Sequence, residues 1–220
     1  MSGEMLHDYW DGFYAGLASR DVPTGCSAFA EWVAGRLGPR SVVAEFGFGT
    51  ARDSLHFAAQ GHRVLGFDFA EHAVDAATAR VAGVVASGAE LDATFTGLDL
   101  YHRGETEALA RDLADEGVDA VYGRFLLHSL EDEGRGNLLD LASVALADGG
   151  ELLLEFRTGL DAGHEHLFGD DHYRAYLDPD AVEAELEQRG AHVVELVTGH
   201  GLAVYKTEDP HVARIVARFA

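Results

Sequence analysis

Val42-Val43-Ala44-Glu45-Phe46-Gly47-Phe48-Gly49-Thr50-Ala51-Arg52-Asp53-Ser54, followed after a gap by Val64-Leu65-Gly66-Phe67-Asp68, decides how the rest of the chain is read. A short apolar run ending in an acid, then two glycines and a helix-compatible segment, is the pattern of a buried strand turning sharply into a helix N-terminus. Gly47 and Gly49 lack a Cβ, so the backbone can take positive φ and a ligand can lie directly against it. Asp68 closes a second apolar strand. If the two strands are parallel neighbours, its carboxylate stands beside the first loop, where it can accept both hydroxyls of a ribose. A dinucleotide fingerprint wants a third glycine at position 52, where a pyrophosphate sits on the helix end. Position 52 is an arginine, suited instead to a ligand carboxylate. The ligand implied has a ribose and a carboxylate and no pyrophosphate, which disfavours a nicotinamide dehydrogenase.

From about residue 40 to 157 the chain resembles the class I S-adenosylmethionine-dependent methyltransferases. Glu45-Phe46-Gly47-Phe48-Gly49-Thr50 is similar to that family's first motif and Val64-Leu65-Gly66-Phe67-Asp68 to its second. The Gly-Thr-Ala-Arg-Asp-Ser continuation is similar to a tellurite-resistance-like subgroup, in which this arginine engages the methionine carboxylate. Ala51 departs from the pattern, since many members carry a third glycine there. The resemblance implies S-adenosyl-L-methionine as cofactor, with Glu45, Gly47, Gly49, Arg52, Asp68, Phe69, Asp99, Leu100 and Arg124 around it. In that family an acid at the place of Asp99 accepts from the adenine amino group, and the next backbone N–H, here of Leu100, meets a ring nitrogen. The competing reading of Asp99 is a loop acid capping the helix that begins near Glu105, and that of Arg124 is a structural ion pair.

Length and charge narrow the field. The chain has 220 residues, room for one α/β domain with a small elaboration and cramped for two. Its formal charge is -22, from 16 basic and 38 acidic residues, which disfavours nucleic acid and anionic membranes as partners. A single lysine, Lys206, among the basic residues hints at a GC-rich genome or a salt-adapted host. Cys26 is the one cysteine, so no internal disulfide forms. The N-terminus lacks a basic region followed by an apolar run, and no apolar stretch approaches the roughly 20 residues of a membrane span. A cytoplasmic protein is expected. The sequence leaves open whether it is a monomer or a homodimer.

In chain order, Leu6, Trp10, Phe13, Tyr14 and Leu17 share one face of a first helix, and Ser27 caps a second running to about Leu37. Strands are expected at 41 to 46, 63 to 68, 93 to 98, 118 to 123 and 151 to 156, with helices between them. A helix from Pro179 to Arg189, a strand from His192 to Thr198 and an antiparallel return at Leu202 to Lys206 follow. Asp209-Pro210 then starts a terminal helix carrying Val212, Ile215, Val216 and Phe219. The fold expected is a Rossmann-like, doubly wound α/β sheet of seven mostly parallel strands with an antiparallel C-terminal hairpin strand. It forms a single domain over 1–220, with helical cover at 1–38 and an acceptor-loop insertion at 157–177.

The reaction implied is methyl transfer to an oxygen or nitrogen of a small polar molecule, an anionic one such as a sugar or amino-acid derivative among the options. The alternatives are a non-methylating, cyclisation-type use of the same cofactor and a non-catalytic ligand-binding protein on the same fold. Residues after the fourth strand face the reacting atoms in this topology, which makes His128 the first candidate base and His172 the second. The competing reading of His128 is a histidine that bonds backbone and shapes the loop. Tyr9, Trp10 and Tyr14 are candidate lid residues over the acceptor, and His172, Tyr173 and Arg174 candidate acceptor contacts. His164, His166, Asp170, Asp171 and His172 offer metal-ligand types, but their spacing matches no zinc motif and no metal is assigned.

Overall fold

The computed structural model describes residues 3–16, 23, 25–163 and 173–219. Seven strands form one sheet: β1 (Val42–Phe46), β2 (Arg63–Asp68), β3 (Ala93–Gly97), β4 (Ala120–Arg124), β5 (Glu151–Arg157), β6 (Ala191–Gly199) and β7 (Val212–Phe219). Their spatial order is β3-β2-β1-β4-β5-β7-β6. All run parallel except β7, which is antiparallel to both β5 and β6. Chain order reverses between β1 and β4, and in such sheets the crevice for a ligand opens at the carboxyl ends of the strands flanking that reversal.

The helices are α1 (Gly3–Ala15), α2 (Ala28–Ala34), α3 (Arg52–Ala59), α4 (Glu71–Ala86), α5 (Arg103–Glu116), α6 (Asp132–Ala145) and α7 (Pro179–Glu187). Local chemistry sets several of their ends. The Ser27 hydroxyl accepts the Ala30 N–H at 2.9 Å and starts α2. Asp178 accepts from the Asp180 N–H with Pro179 in the first turn of α7. On one face of the sheet Phe29, Val33 and Phe57 pack on Val43, Tyr122 and Leu153. On the other, Leu138, Leu141 and Leu113 pack on Phe46, Leu152 and Leu154. The strand Leu152-Leu153-Leu154 is thus apolar without alternation because both its faces are covered. Among the described residues no helix is long and apolar enough to cross a membrane.

Two expectations are corrected at the C-terminus. Residues 212–219 form strand β7, not a helix, inserted between β5 and β6. Val212, Ile215, Val216 and Phe219 have helical spacing, but Ala213 and Ala217 are equally buried, which is the mark of a strand covered on both faces. Leu202–Lys206 is consequently not the antiparallel return, because β7 takes that place. Segment 200–211 instead loops back over the carboxyl end of the sheet. Tyr205 and Glu208 close a tight turn by exchanging N–H···O bonds of 2.9 Å, with Lys206 at φ 53.

Candidate active site

The loop after β1 turns through Gly47 at φ +65 and Gly49 at φ +54, backbone that L side chains rarely adopt. Neighbours also forbid a side chain there. A Cβ on Gly47 would stand 2.8 Å from Leu126 Cδ1, and one on Gly49 would run into the Tyr14 phenol. Ala51, at φ 53, begins α3 in the same left-handed region, with its methyl fully buried. The chain therefore tolerates there the strain that a third glycine relieves in related loops.

Asp68, at the end of β2, ties this loop down. Its Oδ2 accepts the Gly49 N–H at 2.9 Å and its Oδ1 the Ala70 N–H at 3.1 Å. Burial pushes its carboxyl up to about 6, against the opposing pull of those N–H groups. Asp99, past the end of β3, accepts the Tyr101 N–H at 2.9 Å. It does not cap α5, whose N-cap position is His102.

Asp68, Phe69, Asp99 and Leu100 line a cavity of about 700 Å³ with apolar walls from Phe46, Phe67, Leu98 and Leu126. A flat heteroaromatic ring fits between such walls, and the two acids are the acceptors a nucleoside requires.

A second, more polar cavity of about 1170 Å³ adjoins the first. Trp10, Tyr14, Gly47, Phe125 and Ser129 line both spaces and mark where they meet. Arg52, Arg124, Arg157 and Arg174 line the second. Asp68 and Arg52 thus occupy adjoining chambers joined at Gly47 rather than a single one.

Each guanidinium has its own setting. Arg52 opens α3 and donates to the Gly25 carbonyl at 3.1 Å. Burial, and then the nearby charge of Arg124, lower its pKa. Neighbouring Asp53 is buried, accepting the Ser27 N–H and hydroxyl at 2.7 Å and the Tyr122 hydroxyl at 2.8 Å. Glu45 accepts the Ser54 hydroxyl, and burial, then the Asp53 carboxylate, raise its pKa well above the usual carboxylate range. Arg124 is paired to an acid. Its Nε donates to Glu155 at 2.9 Å, while Arg214 donates to the other oxygen of that fully buried carboxylate at 2.8 Å. Arg157, the last residue of β5, donates to Asp161 at 2.6 Å and to Glu208 of the 200–211 segment.

His128 is nearly inaccessible, at 2% exposure. Its Nδ1 accepts the Arg157 backbone N–H at 3.2 Å, so the neutral ring carries its proton on Nε2. In that tautomer the ring bonds backbone and offers a donor at Nε2. His172 lies outside the described residues, as do His164, His166, Asp170 and Asp171. Trp10, Tyr14 and Arg174 line the second cavity, whereas Tyr9 packs edge-on against Trp10 and, like Tyr173, is not in the lining.

Phe125, Ser129, Tyr205 and Glu208 line this cavity without having been singled out in the sequence. Phe125 is the most distinctive of them. It sits at φ 55, with the Arg124 and Arg157 guanidinium carbons 4.2 and 5.1 Å from its ring centroid. A lone phenylalanine after a strand carries no signal for that conformation, and the 202–206 segment was read as a strand, which hid Tyr205.

Residues 43–150 match the family model described as a methyltransferase domain. No curated protein sequence matches the chain. Three of the solved structures that share its fold follow. A structure bearing on conversion of a disulfide bond into a thioacetal group during echinomycin biosynthesis is 18% identical with a TM-score of 0.72, covering 97% of this chain and 92% of that one. The 1,6-didemethyltoxoflavin-N1-methyltransferase of Burkholderia thailandensis, with bound 1,6-didemethyltoxoflavin and S-adenosylhomocysteine, is 20% identical at 0.69, covering 99% and 89%. A TehB-like SAM-dependent methyltransferase of Corynebacterium glutamicum is 17% identical at 0.64, covering 100% of both chains. At these identities the likeness is one of fold.

Proposed function

Because residues 43–150 match the model of a methyltransferase domain, we propose that this chain binds S-adenosylmethionine and transfers its methyl group to an oxygen or nitrogen of a small, polar, anionic molecule. One observation carries the reading: an apolar chamber with a ribose-type acid opens directly into an arginine-rich one across Gly47, Phe125 and Ser129.

The residues present fit the cofactor. The two glycines form a cradle that a Cβ would fill, and the first chamber has the walls and acceptors of a nucleoside site. Leu98 and Leu100 would flank the adenine with Asp99 at its amino edge, Asp68 would take the ribose hydroxyls, and Arg52 with Arg124 would take the amino-acid carboxylate. Bound there, the cofactor supplies an electrophilic methyl group on a sulfonium.

The chain's own part is chiefly positioning. α1 and Phe125 exclude water from the junction, and the arginines of the second chamber orient the acceptor's anion. The acceptor's proton would pass to a base, for which His172 is the candidate. His128 holds its proton on Nε2 and acts as a donor. Calorimetric titration with S-adenosylhomocysteine tests the reading, with binding lost in Asp68→Ala and Arg52→Leu. No binding to the unaltered chain would refute it. S-adenosylhomocysteine, not methylthioadenosine, is the expected by-product of turnover.

A further inference from the structure

The walls of the second chamber say more about the acceptor than its charge alone. Trp10, Phe13 and Tyr14 approach from α1, Phe48 and Phe125 from the strand-end loops and Tyr205 from the 200–211 segment. Aromatic rings thus come from four separate parts of the chain. Besides the aromatic side chains, the polar groups that line the space are the four arginines, Glu45, Asp53, Glu208, His128, Thr50 and Ser129, of which Glu45, Asp53, Arg124 and Arg157 are already bonded within the chain. A flat ring gains from the large apolar faces that the aromatic side chains present.

The charge is concentrated as well. Four arginines line this chamber in a chain of net charge -22. Of the acids beside them, Glu45 is taken up by the Ser54 hydroxyl and Asp53 by Ser27 and Tyr122. Glu208 is different. Its carboxylate lies on the Arg157 guanidinium, brought there by the loop between β6 and β7. It occupies a position that a carboxylate of a bound molecule would take.

We propose that the acceptor is a planar aromatic acid, whose ring lies among the aromatic side chains and whose carboxylate goes to Arg157 and Arg174, displacing Glu208. This deepens the methyl-transfer reading and rests on it.

The test uses the full chain, first with S-adenosylhomocysteine alone and then, in its presence, with hydroxylated aromatic carboxylates: 2-hydroxybenzoate and 3-hydroxyquinoline-2-carboxylate. Their methyl esters, cyclohexanecarboxylate and glucuronate serve as comparisons. Calorimetry is expected to show the aromatic acids binding at least tenfold more tightly than any comparison. Arg174→Gln and Tyr205→Leu each abolish that preference while binding of S-adenosylhomocysteine is retained. Glu208→Gln, by removing the internal competitor, tightens binding of the aromatic acids and leaves that of the esters unchanged. A purely structural Glu208 would give no such split, and its absence overturns the displacement. Glucuronate or an ester binding as well as the acids, or no aromatic acid binding to a chain that binds S-adenosylhomocysteine, overturns the acceptor class alone. A chain that ignores S-adenosylhomocysteine overturns the methyl-transfer reading and this inference with it.

Discussion

The phenol of Tyr14, on α1, covers the face of Gly49 from which a side chain would project. Gly49→Ala therefore meets two penalties at once. Left-handed backbone costs an alanine about 1–2 kcal/mol, and the new methyl pushes Tyr14 off the loop. S-adenosylhomocysteine is expected to bind more than tenfold weaker, with α1 becoming sensitive to limited proteolysis. Gly12→Ala, on the same helix with open space around its Cα, leaves both unchanged.

Asp68 makes stability and ligand binding respond to pH in opposite directions. Its carboxyl is raised from 3.8 to about 6, so the folded chain holds that proton more tightly than the unfolded chain does. Protonation favours the fold. The ligand-free protein is expected to lose roughly 3 kcal/mol from this group as the pH climbs from about 4 to about 6. A ribose diol needs the ionised carboxylate as double acceptor, so affinity for S-adenosylhomocysteine rises over the upper part of that range. Denaturant titrations and calorimetry between pH 4.5 and 7.5 check both slopes, and Asp68→Asn is expected to flatten them.

Glu155 is fully buried between Arg124 and Arg214. Replacing it with leucine strands two guanidiniums in the interior, and breaking a buried pair by removing one partner costs about 3–5 kcal/mol. Urea midpoints measure it. Val197→Thr, on the exposed part of β6, is the comparison, and its midpoint stays within error of the parent.

α1 is held to α4 by a contact that titrates. His72 receives the Asp11 carboxylate on both its backbone N–H, at 3.1 Å, and its ring Nδ1, at 2.8 Å. The hydrogen bond and charge of Asp11, helped by Asp75 and Glu71, raise the His72 pKa. A raised histidine contributes fully below its ordinary value of about 6.5 and loses that contribution as the pH rises through the raised one. Proteolysis of α1 is expected to speed up above that point. In His72→Gln the rate no longer depends on pH across the same range.

The first five strands were legible because each is a short apolar run bounded by turn residues, and Gly47, Gly49, Asp68 and Asp99 stand at the ends of three of them. β7 was not. Val-Ala-Arg-Ile-Val-Ala-Arg-Phe satisfies a helical period by coincidence, and only its β-branched content and length argue for a strand. With 212–219 patterned like a helix, nothing in the sequence marks 200–211 as a loop over the strand ends, or Tyr205 and Glu208 as lining residues. His128 was located by its place after β4, but its role turns on a bond from the backbone of Arg157, a long-range contact that local sequence does not encode. The left-handed Phe125 is of the same kind, since its strain is sustained by two guanidiniums from different strands.

Trp10 and Tyr14 border both chambers from a single helix. Donor and acceptor consequently share one door, and so do their spent forms. On the proposed reading, release of both spent molecules is expected to wait on movement of that helix. Adding a viscogen such as sucrose is then expected to slow steady-state turnover while leaving a single turnover of the loaded enzyme unchanged.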